Sequence, residues 1–132
     1  MSNTATATFG LSEIGQISVN VKNLDRATAF YRDQLGVPFM FAAPNLAFFQ
    51  CGSVSLMLSP PETAEFDHPG SVLYFSVPDI DAAYKTLKGR KVPFRDEPHL
   101  IHRVPGRELW MTFFDDTEGN ILALMSWRSV PA

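Results

Sequence analysis

"VKNLD", residues 21–25, joins the end of one predicted strand to the start of one predicted helix, and "VPDID" at residues 77–81 has the same form. Apolar and polar residues alternate over residues 17–21, which is the period of a strand with one buried face. Asn23 and Asp79 are both residue types that cap the N-terminus of a helix. A junction of this kind that occurs twice indicates a duplicated unit.

Each junction is followed by the same succession of predicted elements. Apolar residues recur at helical spacing over residues 23–36 and 79–90, and Gly36 stands where a helix end favours a left-handed residue. One strand precedes each predicted helix, at residues 14–21 and 71–77. Three strands follow it, at residues 37–43, 46–52 and 54–59 in the first half and at 91–98, 109–116 and 120–127 in the second. Both halves therefore have the order βαβββ.

The two halves predict an α+β fold made of tandem modules. We expect a flexible tail at residues 1–13, a first module at 14–60, a linker rich in proline and acidic residues at 61–70, and a second module at 71–128. One helix covers only one face of each sheet, so the other faces must be shielded by each other or by a partner chain. The expected result is a curved eight-stranded mixed sheet around a central cup, with the helices on the outer face.

The composition narrows the class of protein. The chain has 132 residues, of which 45% are hydrophobic and 19% are charged, as in globular domains. A net charge of -3 gives no electrostatic reason to expect nucleic acid or an anionic membrane surface as a partner. No apolar run is long enough to predict a membrane span, and the start of the chain resembles no signal or transit peptide. A single cysteine, Cys51, excludes an internal disulfide, and we expect a cytoplasmic protein.

Two segments carry a resemblance to a known family. The element order, "AFYRDQLGVPF" at residues 29–39 and "FFDDTEGNILAL" at residues 113–124 resemble the vicinal oxygen chelate superfamily, which includes glyoxalases, bleomycin-resistance proteins and extradiol dioxygenases. This resemblance implies a cup in which four side chains hold a divalent metal that binds adjacent substrate oxygens. It predicts the fold better than the reaction, because the same scaffold hosts isomerases, epimerases, dioxygenases, thiol transferases and drug-sequestering proteins.

The four ligand positions that the resemblance implies hold few metal donors here. They fall on Gln16, Met57, Val72 and Ala123 when the apolar alternation sets the register. Magnesium, manganese, iron(II) and zinc favour carboxylates, imidazoles and amide oxygens, so only Gln16 suits them. We predict a protein with no metal cofactor; a divalent metal is possible but has no support from these positions.

The predicted cup lining combines apolar and aromatic side chains with a few hydroxyl and amide groups. It consists of Gln16, Ser18, Asn20, Ser55, Met57, Val72, Tyr74, Trp110, Ala123 and Met125, although alternation leaves open which third-strand aromatics face inward. Such a lining is typical of a pocket for a mostly apolar organic molecule. The first hypothesis is therefore a metal-free binding protein of the bleomycin-resistance type, which sequesters or carries a small aromatic or amphipathic compound.

The second hypothesis is an enzyme, and it rests on two histidines. His99 and His102 lie in residues 97–110, predicted as a long loop near the mouth of the cup, with Glu97 or Glu108 as an orienting partner. Together with Gln16 they predict a lyase, isomerase or dioxygenase with relocated ligands, or a metal-free acid-base catalyst. The alternative is that both imidazoles are hydrogen-bonded loop residues.

The predicted assembly is a homodimer, by resemblance alone, with modules paired within one chain or exchanged between two. A third hypothesis is a structural or regulatory subunit whose cup serves only as a dimer interface.

Overall fold

The computed structural model describes residues 9–131. The first module contains β1 (Gln16–Asn20), α1 (Leu24–Ala29), β2 (Phe39–Ala43), β3 (Leu46–Cys51) and β4 (Val54–Ser59). The second contains β5 (Leu73–Ser76), α2 (Ile80–Gly89), β6 (His99–Val104), β7 (Arg107–Asp115) and β8 (Ile121–Ser129). Of the predicted tail, the structure describes only residues 9–13, which are exposed and belong to no helix or strand. None of the helices in the described part is long and apolar enough to cross a membrane.

The strands form two sheets of four with the same topology. The first sheet has the order β1-β4-β3-β2 and the second β5-β8-β7-β6, so each module is a mixed sheet. In each sheet the first and last strands of the module pair in parallel, and the other neighbours are antiparallel. The predicted α+β fold of two βαβββ modules is confirmed.

Both predicted helix caps are present. The Asn23 side chain accepts a hydrogen bond from the Arg26 backbone N–H, and the Asp79 side chain accepts one from the Ala82 backbone N–H. The first helix continues beyond α1 as a π-helical turn, Phe30–Gln34, before Gly36 adopts the left-handed backbone with a φ of 75°. The repeated junction therefore begins a helix in each module, as the sequence predicts.

The second strand of the second module differs from its prediction. Residues 91–98 do not form a strand; only Phe94 pairs there, in an isolated bridge with Phe114. The strand is β6 instead, inside the stretch predicted as a long loop, so that prediction was wrong. Pro93 lies inside this segment and Pro98 ends it, and neither can donate to a ladder, whereas "HLIHRV" can pair along β7.

The modules still match at this point. The Gln50 backbone N–H donates to the Pro38 carbonyl, and the Asp115 N–H donates to the Pro93 carbonyl at the equivalent place. The duplicated "VPF" segments therefore occupy equivalent positions, and the second module adds residues before its edge strand.

One apolar core lies on the helix side of both sheets. It contains Val19, Val21, Phe30, Tyr31, Phe49, Leu56 and Leu58 from the first module and Ile80, Leu87, Val92, Phe114, Leu122 and Leu124 from the second. Each helix packs on the sheet of its own module. We call the side of each sheet away from its helix the open face.

A buried carboxylate joins the two modules on the helix side. The Glu118 side chain, which is 0% exposed, accepts hydrogen bonds from the backbone N–H groups of Lys22 and Asn23 at 2.7 and 2.8 Å. Arg26 binds both of its oxygens. Burial by itself raises the pKa of Glu118, but the hydrogen bonds from Arg26, Thr117 and the two backbone groups outweigh it and lower the pKa to about 2.

A second buried contact follows in the same turn. The Tyr31 hydroxyl donates to Asp116 at 2.8 Å, and the other oxygen of this carboxylate accepts the backbone N–H groups of Glu118 and Asn120. Burial, and then the charge of Asp116, raise the pKa of Tyr31. The turn at residues 116–120 therefore has a structural role, because its carboxylates hold the first helix against the second module.

Candidate functional site

The open face of the first module is defined by the pairing of β1 with β4. Gln16 pairs with Ser55, Ser18 with Met57 and Asn20 with Ser59, and partners in a ladder share a face. The buried side chains alternate with them and point to the helix. The predicted lining residues Gln16, Ser18, Asn20, Ser55 and Met57 therefore all lie on the open face.

The open face also carries aromatic residues that alternation alone leaves unassigned. Phe48 pairs with Met57, and its ring lies 4.8 Å from the ring of Phe41, whereas Phe49 is fully buried on the helix side. Two adjacent phenylalanines satisfy either strand register in sequence, so only the ladder shows which one faces outward. Phe48 is a functional candidate that the sequence left unassigned, and Phe41 is one that sequence reasoning missed.

Two polarisable groups meet at the first ligand position. The Gln16 Nε2 atom lies 3.9 Å from the Met57 Sδ atom, within reach of a weak N–H···S hydrogen bond. The amide is thus turned with its N–H toward the thioether. The pair supplies one neutral oxygen donor and one soft sulfur.

The open face of the second module is built around Ala123. Its ladder partners are Tyr74 on β5 and Phe113 on β7, and their rings pack edge to face with centroids 5.9 Å apart. Ala123 is 0% exposed although it lies on this face. The position where the resemblance implies a metal ligand is therefore a methyl group between two aromatic side chains.

The four implied ligand positions do not fit a divalent metal. Val72, one residue before β5, and Ala123 have no donor atom, and Met57 offers only sulfur. A single amide oxygen at Gln16 cannot replace the oxygen or nitrogen shell that such ions require. Within residues 9–131, no group of three or more His, Cys, Asp or Glu side chains is arranged to hold a metal ion.

His99 and His102 lie on the edge strand β6. His99 pairs with Met111 and His102 with Leu109, and a bulge between Leu100 and His102 keeps both histidines on the open face. Both are exposed. The His99 Nδ1 atom lies 3.0 Å from the Glu97 carbonyl oxygen and 3.8 Å from an Asp96 carboxylate oxygen.

Glu108 is occupied elsewhere. One of its oxygens accepts from Arg103 Nε at 2.9 Å and the other from Trp110 Nε1 at 3.1 Å. The hydrogen bond from Trp110, followed by that from Arg103, lowers the pKa of Glu108. Of the two predicted orienting residues, only Glu97 therefore contacts a histidine, and it does so through its backbone carbonyl.

Two further residues of the predicted lining have other contacts. Trp110 pairs with Ser126, packs against the core on the helix side and lies under the Arg128 guanidinium at 4.5 Å. Asn20 is on the open face, but its amide donates to the carbonyls of Phe66 and His68 and holds the linker. Both side chains therefore bind groups of the protein itself, Trp110 on the helix side and Asn20 at the linker.

Sulfur and aromatic groups complete the open face of the second module. Met125 pairs with Ser76 on one side and Met111 on the other, and Trp127 lies further along the same strand. The Arg107 guanidinium stacks over the Trp127 ring at 4.1 Å. The resulting surface combines thioethers, aromatic rings and a hydroxyl, with a cation at its rim.

The sequence from residue 13 to 124 matches the family model described as the Glyoxalase/Bleomycin resistance protein/Dioxygenase superfamily. The chain belongs to this superfamily. No curated protein has a matching sequence.

Solved structures share the fold over most of their length. A superfamily member from Sphaerobacter thermophilus has 25% identity and a TM-score of 0.73, with 88% of this chain and 98% of that chain covered. Lactoylglutathione lyase from Agrobacterium tumefaciens has 24% identity and a TM-score of 0.65, covering 88% and 94%. TnmS3, an antibiotic binding protein from Streptomyces sp. CB03234, has 24% identity and a TM-score of 0.71, covering 90% and 98%.

Proposed function

We propose that this protein binds a small, largely apolar or aromatic organic molecule on its open faces, without a metal at the four implied ligand positions. The observation that carries the proposal is Ala123, which lies at one of these positions beneath Tyr74 and Phe113. An aromatic pair over a methyl group offers stacking and apolar contact in place of a carboxylate. The solved structure of an antibiotic binding protein with this fold is consistent with such a role.

The proposed site takes its chemistry from both modules. Gln16, Ser55 and Met57 supply an amide, a hydroxyl and a thioether on one face, while Tyr74 and Met125 supply an aromatic ring and a second thioether on the other. Thioethers adapt to irregular apolar shapes and pack well against aromatic ligands. Ser18 and Val72 lie beside these groups and extend the surface. With a net charge of -3, neither nucleic acid nor a membrane surface is a proposed partner.

The proposal includes a homodimer. Buried or reciprocal contacts join the modules of one chain on the helix side, among them Glu118 with Arg26, Tyr31 with Asp116 and Gln34 with Arg90. The open faces remain exposed, with Tyr74 at 45%. We therefore expect the open face of one chain to meet that of a partner and close the cup between them.

Sedimentation at micromolar concentration tests this assembly. The expected result is a species of twice the chain mass, because the exposed aromatic faces lose water when they pair. A species of only 14.7 kDa at micromolar concentration would contradict the dimer.

The alternative function is catalytic, and the register of β6 favours it. His99 and His102 share the open face of the second module with Met111 and Leu109, so both imidazoles can reach a bound molecule. In that case the protein is a lyase, isomerase or dioxygenase of the superfamily that uses these histidines with Gln16, or an acid-base catalyst without a metal.

Metal content and histidine variants separate the two functions. For the binding protein we expect far less than one divalent metal per chain, and unchanged ligand affinity in His99→Ala and His102→Ala. One metal per chain that disappears in these variants, together with loss of a measurable turnover, would identify the metal-dependent enzyme. Turnover without metal that both variants lose would identify the acid-base catalyst. His68→Ala is the matched control, because His68 lies in the exposed linker.

A further inference from the structure

A cleft on the helix side of the molecule is separate from the open faces. It has a volume of about 570 Å³ and lies between α2 and the first module. Its lining is mostly apolar and includes Leu35, Val37, Phe75, Ala83, Leu87 and Phe114. Pockets for small organic ligands have volumes of roughly 300 to 1,000 Å³ and linings of this kind.

A guanidinium group is fixed at one end of this cleft. Arg90 Nη1 donates to the Gln34 carbonyl at 3.2 Å, and Gln34 Nε2 donates to the Arg90 carbonyl at 2.9 Å. A Cβ atom at Gly36 would lie 3.4 Å from the same Nη1 atom, so the absent side chain leaves room for the guanidinium. Arg90 forms no ion pair with any residue in the described range 9–131.

This end of the cleft therefore carries a positive charge that no carboxylate of the described residues pairs with. The other charged residue of the lining is Asp79, whose carboxylate accepts the Ala82 backbone N–H as the cap of α2. Asp79 and Arg90 flank the ten residues of α2 and stand about 16 Å apart at the helical rise. The apolar wall between them includes Ala83 and Leu87.

We propose that this cleft is a second binding site, for a carboxylic acid with an elongated apolar body. The carboxylate binds the N–H groups of Arg90 that are not bonded to Gln34, because the planar guanidinium matches the geometry of a carboxylate. The apolar body lies along α2, where it covers Ala83 and Leu87 and contacts Phe75 and Phe114. Thr86 on α2 contributes a hydroxyl group to the lining of the cleft.

Cys51 provides a reporter for occupancy of the cleft. It is the single cysteine of the chain, it is part of the lining and its side chain is half-buried. Burial raises the pKa of the Cys51 thiol, so its modification is best followed at mildly alkaline pH. A neutral reagent, N-ethylmaleimide, avoids competition for Arg90.

The test has two measurements. Calorimetry gives the affinity for decanoate, and intact mass gives the rate at which N-ethylmaleimide labels Cys51. Saturating decanoate is expected to slow labelling at least about tenfold, and Arg90→Gln to weaken decanoate binding about tenfold through loss of charge-assisted hydrogen bonds. Decanol has the same alkyl chain without the charge. Its affinity for the wild-type protein is expected to be no higher than the affinity of decanoate for Arg90→Gln.

Arg32→Gln is the matched control, because Arg32 is an exposed arginine paired with Asp33 outside the cleft, and it should bind decanoate as the wild type does. Arg90→Lys should recover part of the affinity. Labelling that is unchanged by decanoate, equal affinity in Arg90→Gln, or equal binding of decanol would each overturn the proposal. Urea unfolding of each variant separates loss of binding from loss of folding.

Discussion

Replacing Glu118 with glutamine is expected to lower the free energy of unfolding by about 2 to 4 kcal/mol. The substitution keeps the shape of the side chain but removes the charge that Arg26 and the N–H groups of Lys22 and Asn23 contact. The glutamine amide also places an NH2 donor in a site where the neighbouring groups are already donors. The measurement is urea unfolding at neutral pH, followed by circular dichroism.

The same variant should change how stability depends on pH. The pKa of Glu118 falls from its ordinary 4.5 to about 2 on folding, so the carboxylate stabilises the folded state fully above pH 4.5. That contribution is lost as the pH drops from 4.5 toward 2. Wild-type protein should therefore lose stability over this range more steeply than Glu118→Gln.

Glu65→Gln is the control, because Glu65 lies exposed in the linker. It should unfold within about 0.5 kcal/mol of the wild type, as surface substitutions usually do. If Glu118→Gln were equally mild, the contacts of Glu118 would not hold the modules together.

Replacing Tyr74 with alanine is expected to weaken the binding of a neutral aromatic probe, N-phenyl-1-naphthylamine, by about thirtyfold. Tyr74 packs on Phe113 over Ala123, so its loss removes one wall of the proposed site and exposes the alanine floor. The ring is 45% exposed, and the fold should tolerate its removal. Probe fluorescence during titration gives the affinity.

Phe9→Ala is the matched control, since Phe9 is 92% exposed in the tail and its removal should leave probe affinity unchanged. Equal affinity in Tyr74→Ala and wild type would place the probe away from the open face. The Arg90→Gln variant should also bind this neutral probe as the wild type does, which keeps the two proposed sites distinct.

The repeat made the fold predictable from the sequence. Alternation over residues 17–21 and the caps at Asn23 and Asp79 depend on neighbours in the chain, and such local preferences are visible in sequence. The edge strand β6 was missed because the predicted strand at residues 91–98 left "HLIHRV" for a loop, although two prolines interrupt that segment.

The site was predictable only in part. Alternation predicts which residues of β1 and β4 face away from the helix, and the structure places Gln16 and Met57 together on that face. Phe48 and Trp110 could not be assigned, because an apolar residue fits either face of a strand and only the ladder partner decides. The contact between Glu118 and Arg26 spans 92 positions in the chain, and no local pattern indicates it.

The most direct test of metal-free binding is a titration with N-phenyl-1-naphthylamine before and after exhaustive chelation of divalent metals. Because Gln16, Met57, Val72 and Ala123 offer one suitable donor among them, we expect the same affinity in both titrations. Affinity that disappears on chelation and returns with one equivalent of a divalent ion per chain would contradict the proposed function.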